Sequence, residues 1–168
     1  MKIESKYKLD KITANDSSRP AMNHVFIEDN IAVATNGHVL AIVPVEIEEG
    51  DTGGILSKDS FVAARKLAKK NNDLQIKLNG TEELIDGTQR PRLDLKYPDY
   101  KLAIQDYSGE ETRKICLNAK YLYELSQALG TDLITLEITE SNTRTIIIHN
   151  LSLTSERPVS GFILPVRG

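Results

Sequence analysis

Apolar residues along this chain first alternate with polar ones, in short runs separated by turn residues. Residues 24–28 (His-Val-Phe-Ile-Glu), 31–35 and 38–46 read as strands, joined at Asp29-Asn30 and Asn36-Gly37. Asn-Gly between two apolar runs is a strong hairpin signal, because both residues tolerate the positive φ of a tight primed turn. Before them, residues 6–12 alternate and predict a further strand, and residues 15–20 form a turn cluster. An antiparallel meander is therefore expected up to Glu46. After a loop at 48–54 the period lengthens. Ser57 stands where a helix N-cap belongs, with Asp59 in the first turn, and Phe61, Ala64, Leu67 and Ala68 fall on one side at helical spacing. Asn71-Asn72 ends that helix.

Alternation returns at 74–78 and 92–96, which predict strands, and Tyr97-Pro98-Asp99-Tyr100 breaks the second. A strand is expected at 113–117. Asn118 then caps a second helix carrying Tyr121, Leu122, Leu125, Ala128 and Leu129, with Gly130 as its stop. Residues 133–138, 145–149 and 162–166 are expected as three strands. The segment from Ile55 through the first helix to Leu78 rhymes with the segment from Ile115 through the second helix to Ile138. These patterns predict a single α+β domain over 1–168, with pseudo-repeat halves of about 1–105 and 106–168. Each half is a strand–helix–strand unit, and the two helices lie on one face of curved antiparallel sheets.

Composition narrows the setting. At 168 residues, 40% hydrophobic and 27% charged, the chain suits a water-soluble globular protein. No apolar run approaches the roughly eighteen residues of a membrane span, and the first residues lack the apolar core of a signal peptide. The single cysteine, Cys116, lies between Ile115 and Leu117, has no partner for an internal disulfide, and reads as a small buried hydrophobe. A cytoplasmic location is expected. A net charge of −3 argues against a general nucleic-acid coat but leaves room for a locally basic face. With no Trp and 5% aromatics, a stacking platform for single strands is not expected.

Candidate chemistry is sparse. His24, His38 and His149 are dispersed, with no metal-ligand spacing between them. No nucleophile elbow, P-loop or dinucleotide glycine pattern occurs. Glu82-Glu83 and Glu110-Glu111 read as exposed charge in polar loops. Neither catalytic residues nor a metal nor a cofactor is expected, and the chain does not read as an enzyme.

Several segments do carry a family resemblance. Residues 34–41 (Ala-Thr-Asn-Gly-His-Val-Leu-Ala) resemble the Ala-Thr-Asp-Gly-His-Arg-Leu-Ala segment of the bacterial DNA polymerase III beta sliding clamps. In the same family, residues 18–23 (Ser-Arg-Pro-Ala-Met-Asn) are similar to Thr-Arg-Pro-x-Leu-Asn. Ile55-Leu56-Ser57-Lys58 and its helix resemble the strand and helix that follow the Asp-Gly-His segment. Residues 97–100 (Tyr-Pro-Asp-Tyr) are similar to Phe-Pro-Asp-Tyr, 117–122 (Leu-Asn-Ala-Lys-Tyr-Leu) to the entry of the last helix, and 162–167 (Phe-Ile-Leu-Pro-Val-Arg) to the C-terminal Val-Met-Pro-Met-Arg. Departures are equally specific. Clamps have three domains per subunit, and this chain has the size of one. Residues 8–14 leave no room for the helix that the family places before its Arg-Pro segment. Val39 stands where the family has Arg, and Ile163, Leu164 and Val166 stand in the methionine-rich C-terminal stretch.

The resemblance implies a DNA-clamp-like fold and two sites. A groove for a partner's short peptide would be lined by Thr35, Gly37, His38 and Leu40, and by Ile163, Leu164, Pro165, Val166 and Arg167. A basic helical lining facing duplex DNA would use Lys58, Arg65, Lys66, Lys69, Lys70 and Lys120. It also implies a homo-oligomer, with about six copies closing a ring by analogy with the six domains of a clamp ring. The implied function is a sliding-clamp-like processivity factor that tethers a DNA polymerase or other replication proteins to duplex DNA. The alternative is a stand-alone clamp-like interaction module that binds replication partners without encircling DNA. On the residues alone, Asn36-Gly37 is also readable as a plain hairpin turn and the basic face as a solvated one.

Overall fold

The computed structural model describes residues 1–68, 72–102, 117–128, 130, 132–139, 142–150 and 160–163. The chain divides into two compact units, Met1–Ser108 and Gly109–Gly168. It is an α+β protein of antiparallel sheets with one helix described in each unit. Among the described residues no helix is long and apolar enough to cross a membrane.

The first unit is built on a four-stranded sheet in the order β4-β3-β2-β5, formed by β2 (Val25–Glu28), β3 (Ile31–Thr35), β4 (Leu40–Pro44) and β5 (Gly54–Leu56). Alternation sorts its side chains between two cores. Val25, Ile27, Ala32, Ala34 and Leu56 face α1 (Lys58–Leu67) and pack with Phe61 and Ala64. Phe26, Val33 and Ile55 face the other way and are covered by Ala21, Leu95, Tyr97 and Tyr100. Tyr97 stacks on Phe26 with ring centroids 4.9 Å apart, and Tyr100 meets the same ring edge-on.

That second core explains why the strand expected at 92–96 is not formed. The segment lies across the sheet face with Leu95 and Tyr97 inward, so it is used as cover; beyond the Arg92 amide, which donates to the Thr81 carbonyl at 2.9 Å, it joins no strand ladder among the described residues. The strand expected at 6–12 is likewise replaced by a 3₁₀ turn, Leu9–Lys11, which puts Leu9 into the first core. The run at 74–78 keeps its alternation, with Leu74, Ile76 and Leu78 all buried, but changes partners midway. β6 (Leu74–Gln75) pairs with β1 (Lys2–Ile3), and β7 (Lys77–Leu78) pairs with β8 (Glu82–Ile85). Between them the Ile76 N–H donates to the Met1 carbonyl at 3.2 Å. β8 turns into β9 (Thr88–Pro91) through Asp86-Gly87, whose φ angles of 49° and 75° make the two-residue primed turn that right-twisted strands favour.

An ion pair and a charged hydrogen-bond donor tie loops of the first unit together. The α-amino group at Met1 pairs with Asp51, whose carboxylate also accepts from the Glu48 and Leu78 amides. Arg92 donates to Thr52 Oγ1, Asn79 O and Gly53 O, stitching the 51–54 loop to the β7–β8 turn.

In the second unit, α2 (Ala119–Ala128) accompanies an antiparallel sheet in the order β10-β11-β12, formed by β10 (Ile134–Thr139), β11 (Asn142–Asn150) and β12 (Ser160–Ile163). The β10–β11 register shifts between Glu137 and Thr139. Of the strand expected at 113–117, residues 113–116 lie outside the described residues, and Leu117 is not in a strand.

Candidate protein-docking cleft

Three separate segments of the first unit line one cleft of about 320 Å3: Arg19 and Met22, then Thr35 to Leu40, then Pro98 and Tyr100. Each is held by its own local chemistry. In the first, Pro20 opens a 3₁₀ turn, Pro20–Asn23, where its fixed φ is already suitable. Asn23 ties the entry of this loop, accepting from the Asp16 N–H at 2.9 Å and donating to the Asp16 carbonyl at 3.0 Å. The Asp16 carboxylate in turn accepts from the amide and hydroxyl of Ser18.

The second segment is wider than the two-residue turn its Asn-Gly suggests. Strand pairing stops at Thr35 opposite Leu40, leaving four residues in the loop. Side chains explain the difference. Asn36 Oδ1 accepts from the amides of His38 and Val39, both at 2.9 Å. Thr35 Oγ1 donates to the Val39 carbonyl at 2.8 Å and accepts from the Gly37 amide at 3.1 Å. An Asx-type turn therefore competes with the tight hairpin and prevails. Gly37 has φ 88°, a backbone conformation that favours glycine, and its Cα faces the Arg19 guanidinium and Met22 Cε, which a Cβ there would meet at 3.3 and 3.5 Å.

The third wall is tied to β2 through Glu28. The Tyr100 hydroxyl donates to Glu28 Oε2 at 2.6 Å, and Lys101 Nζ lies 2.9 Å from the same oxygen. Burial pushes the Tyr100 hydroxyl up to about 12, and the hydrogen bond to Glu28 adds to it. The Glu28 carboxyl is lowered, first by Tyr100 and then by Lys101. Arg19 is exposed at the rim, its Nε 4.0 Å from Asp16, and His38 is exposed beside it. A second, more apolar cleft of about 550 Å3, lined by residues 18–22 and 95–99, shares Arg19, Met22 and Pro98 with the first.

The site residues expected from sequence thus meet different fates. Thr35, Gly37, His38 and Leu40 come together on one wall. Ile163 is the last residue of β12, paired with Ile146, and Leu164, Pro165, Val166 and Arg167 lie outside the described residues. Arg19, Met22, Pro98 and Tyr100 belong to the same cleft but were not among the expected groove residues. The signal for them was present, since the Arg-Pro and Tyr-Pro-Asp-Tyr segments carry the same resemblance.

The basic set is less uniform. Lys58 and Lys66 are on α1, half-buried and exposed respectively. Arg65 Nη2 lies 2.8 Å from Oδ2 of the buried Asp10, so its guanidinium anchors α1 to the Leu9–Lys11 turn. Lys69 and Lys70 lie outside the described residues. Lys120, in the second unit, is 3.6 Å from Glu124 one turn on.

Glu82 and Glu83, expected as exposed loop charge, both lie in β8, Glu82 half-buried and Glu83 fully buried, while Glu110 and Glu111 lie outside the described residues. Glu83 is the more consequential. Its carboxylate accepts from the Ser57 amide at 2.6 Å and the Ser57 hydroxyl at 2.8 Å, at the start of α1. A carboxylate is tolerable there because donors and the positive end of the helix dipole replace water. Among the described residues no group of three or more His, Cys, Asp or Glu is arranged to hold a metal ion. Comparison with known protein families and with curated proteins found no match to this chain.

Proposed function

We propose that this protein is a sliding-clamp-like DNA replication factor whose cleft at the Asn36-Gly37 turn receives a short peptide from a polymerase or another replication partner. One observation carries the reading. Three segments far apart in sequence, each similar to a different stretch of the clamp family, converge to line a single cleft. Its walls suit an extended peptide: Met22, Leu40, Pro98 and the Tyr100 ring offer apolar contact, while Arg19 and His38 offer polar contacts at the rim. Duplex DNA is the second partner in this reading, with Lys58 and Lys66 on α1 contacting phosphates electrostatically and without base readout.

The test is a binding titration of fluorescent peptides from the replicative polymerase subunits of the source organism. At least one should bind, and Leu40→Glu should weaken it roughly tenfold or more, as expected where a central apolar anchor is lost. No binding, or binding indifferent to Leu40→Glu, overturns the reading. The stand-alone interaction module is the second reading. It is favoured by the engagement of Arg65 with Asp10 and of Lys120 with Glu124, which occupies two of the candidate DNA cations. Salt-dependent duplex binding that falls in Lys58→Glu and Lys66→Glu supports the clamp. Peptide binding without duplex binding supports the module.

A further inference from the structure

We propose that the N-terminus of α1 is a proton-operated latch, held shut by neutral His24 and released when that side chain is protonated. The first amides of a helix have no partner within it. In α1 they are met by side chains from three parts of the chain. Ser57 Oγ accepts from the Ser60 amide at 3.2 Å. The buried Glu83 carboxylate, from β8, takes the Ser57 amide and hydroxyl. His24, immediately before β2, accepts the Lys58 amide on Nδ1 at 3.1 Å.

An imidazole nitrogen that accepts an N–H carries no proton, so the ring proton is on Nε2 and His24 is neutral. Protonation would turn Nδ1 into a donor facing another donor, at the positive end of the helix dipole. The hydrogen bond to Lys58 would be lost and replaced by repulsion. The charged groups around the ring pull in both directions. Glu83 and Asp59 favour the protonated form and Lys58 opposes it. Burial outweighs them and sets His24 below its ordinary 6.5. A histidine whose folded value is depressed contributes stability that is present above its unfolded value and is lost as pH falls through 6.5 toward the lower folded value. Phe61 and Ala64 keep the middle of α1 in the core, so the expected response is loosening of the first turn.

Residue-resolved hydrogen exchange on the full chain tests the latch, comparing protection factors at about pH 7.5 and about pH 5.5. The comparison variant is His24→Asn, whose side-chain oxygen accepts the Lys58 amide at either pH. Protection at Lys58 and Ser60 should fall on acidification in the wild type and hold steady in His24→Asn, with the Val33 amide unchanged in both. An equal acid response in the two proteins overturns the proposal. The nitrogen resonances of the His24 ring give an answer that needs no variant. Nδ1 should be unprotonated at about pH 7.5 and titrate below the ordinary histidine value. A protonated Nδ1 at that pH, or titration at or above the ordinary value, overturns it.

Discussion

The two helices begin alike and are embedded differently. Each follows a small polar residue whose side chain accepts a first-turn amide: Ser57 from Ser60 at 3.2 Å in α1, Asn118 from Lys120 at 3.0 Å in α2. From there they part. The start of α1 is also gripped by Glu83 and His24 from elsewhere in the fold, and its Phe61 and Ala64 are buried. The start of α2 carries the local cap, Lys120 pairs with Glu124 of the same helix, and none of the helix's residues is buried. A cap is a short-range device that makes a helix start possible. Tertiary packing supplies most of a short helix's stability.

Substitutions at matched positions separate the two contributions. The largest difference is expected four residues after each cap. Phe61→Ala should cost about 3–5 kcal/mol by emptying a fully buried site. Leu122→Ala, at a half-buried site, should cost only about 1 kcal/mol. Urea unfolding of both variants checks this, and equal losses would mean that α2 is as deeply anchored as α1. Glu83→Leu comes next. It keeps an apolar volume in β8 but strands the Ser57 amide and hydroxyl, at roughly 2–4 kcal/mol for two unsatisfied groups. A stability within experimental error of wild type would show that the tertiary cap contributes nothing. The smallest difference lies in the caps themselves. Asn118→Ala should cost about 0.5–1 kcal/mol, and Ser57→Ala about 1–2 kcal/mol because Glu83 also loses a donor. If the two match, the carboxylate finds another partner when Ser57 is removed.

The same contrast runs through what could be read from the residues. The meander, both helices and both caps follow from patterns spanning a few positions, and the hairpin at Asp86-Gly87 carried an equally local signal in its dipeptide. Where two local signals competed, as at Asn36-Gly37, the side-chain turn displaced the tight one. Of the candidate cleft, the one wall formed by Thr35, Gly37, His38 and Leu40 was expected, and only through the family resemblance, whereas Arg19, Met22, Pro98 and Tyr100 belong to segments that carried no groove expectation.

The sequence by itself determined the α+β class, the alternation that sorts Val25 and Ile27 from Phe26, and the helix start at Ser57, because propensity, periodicity and capping act between near neighbours. Only the tertiary structure decided that residues 92–99 cover a sheet face, that Arg65 reaches Asp10 across the fold, and that Glu83 is buried. The state of a charge depends on what replaces its water, and those donors come from distant parts of the chain.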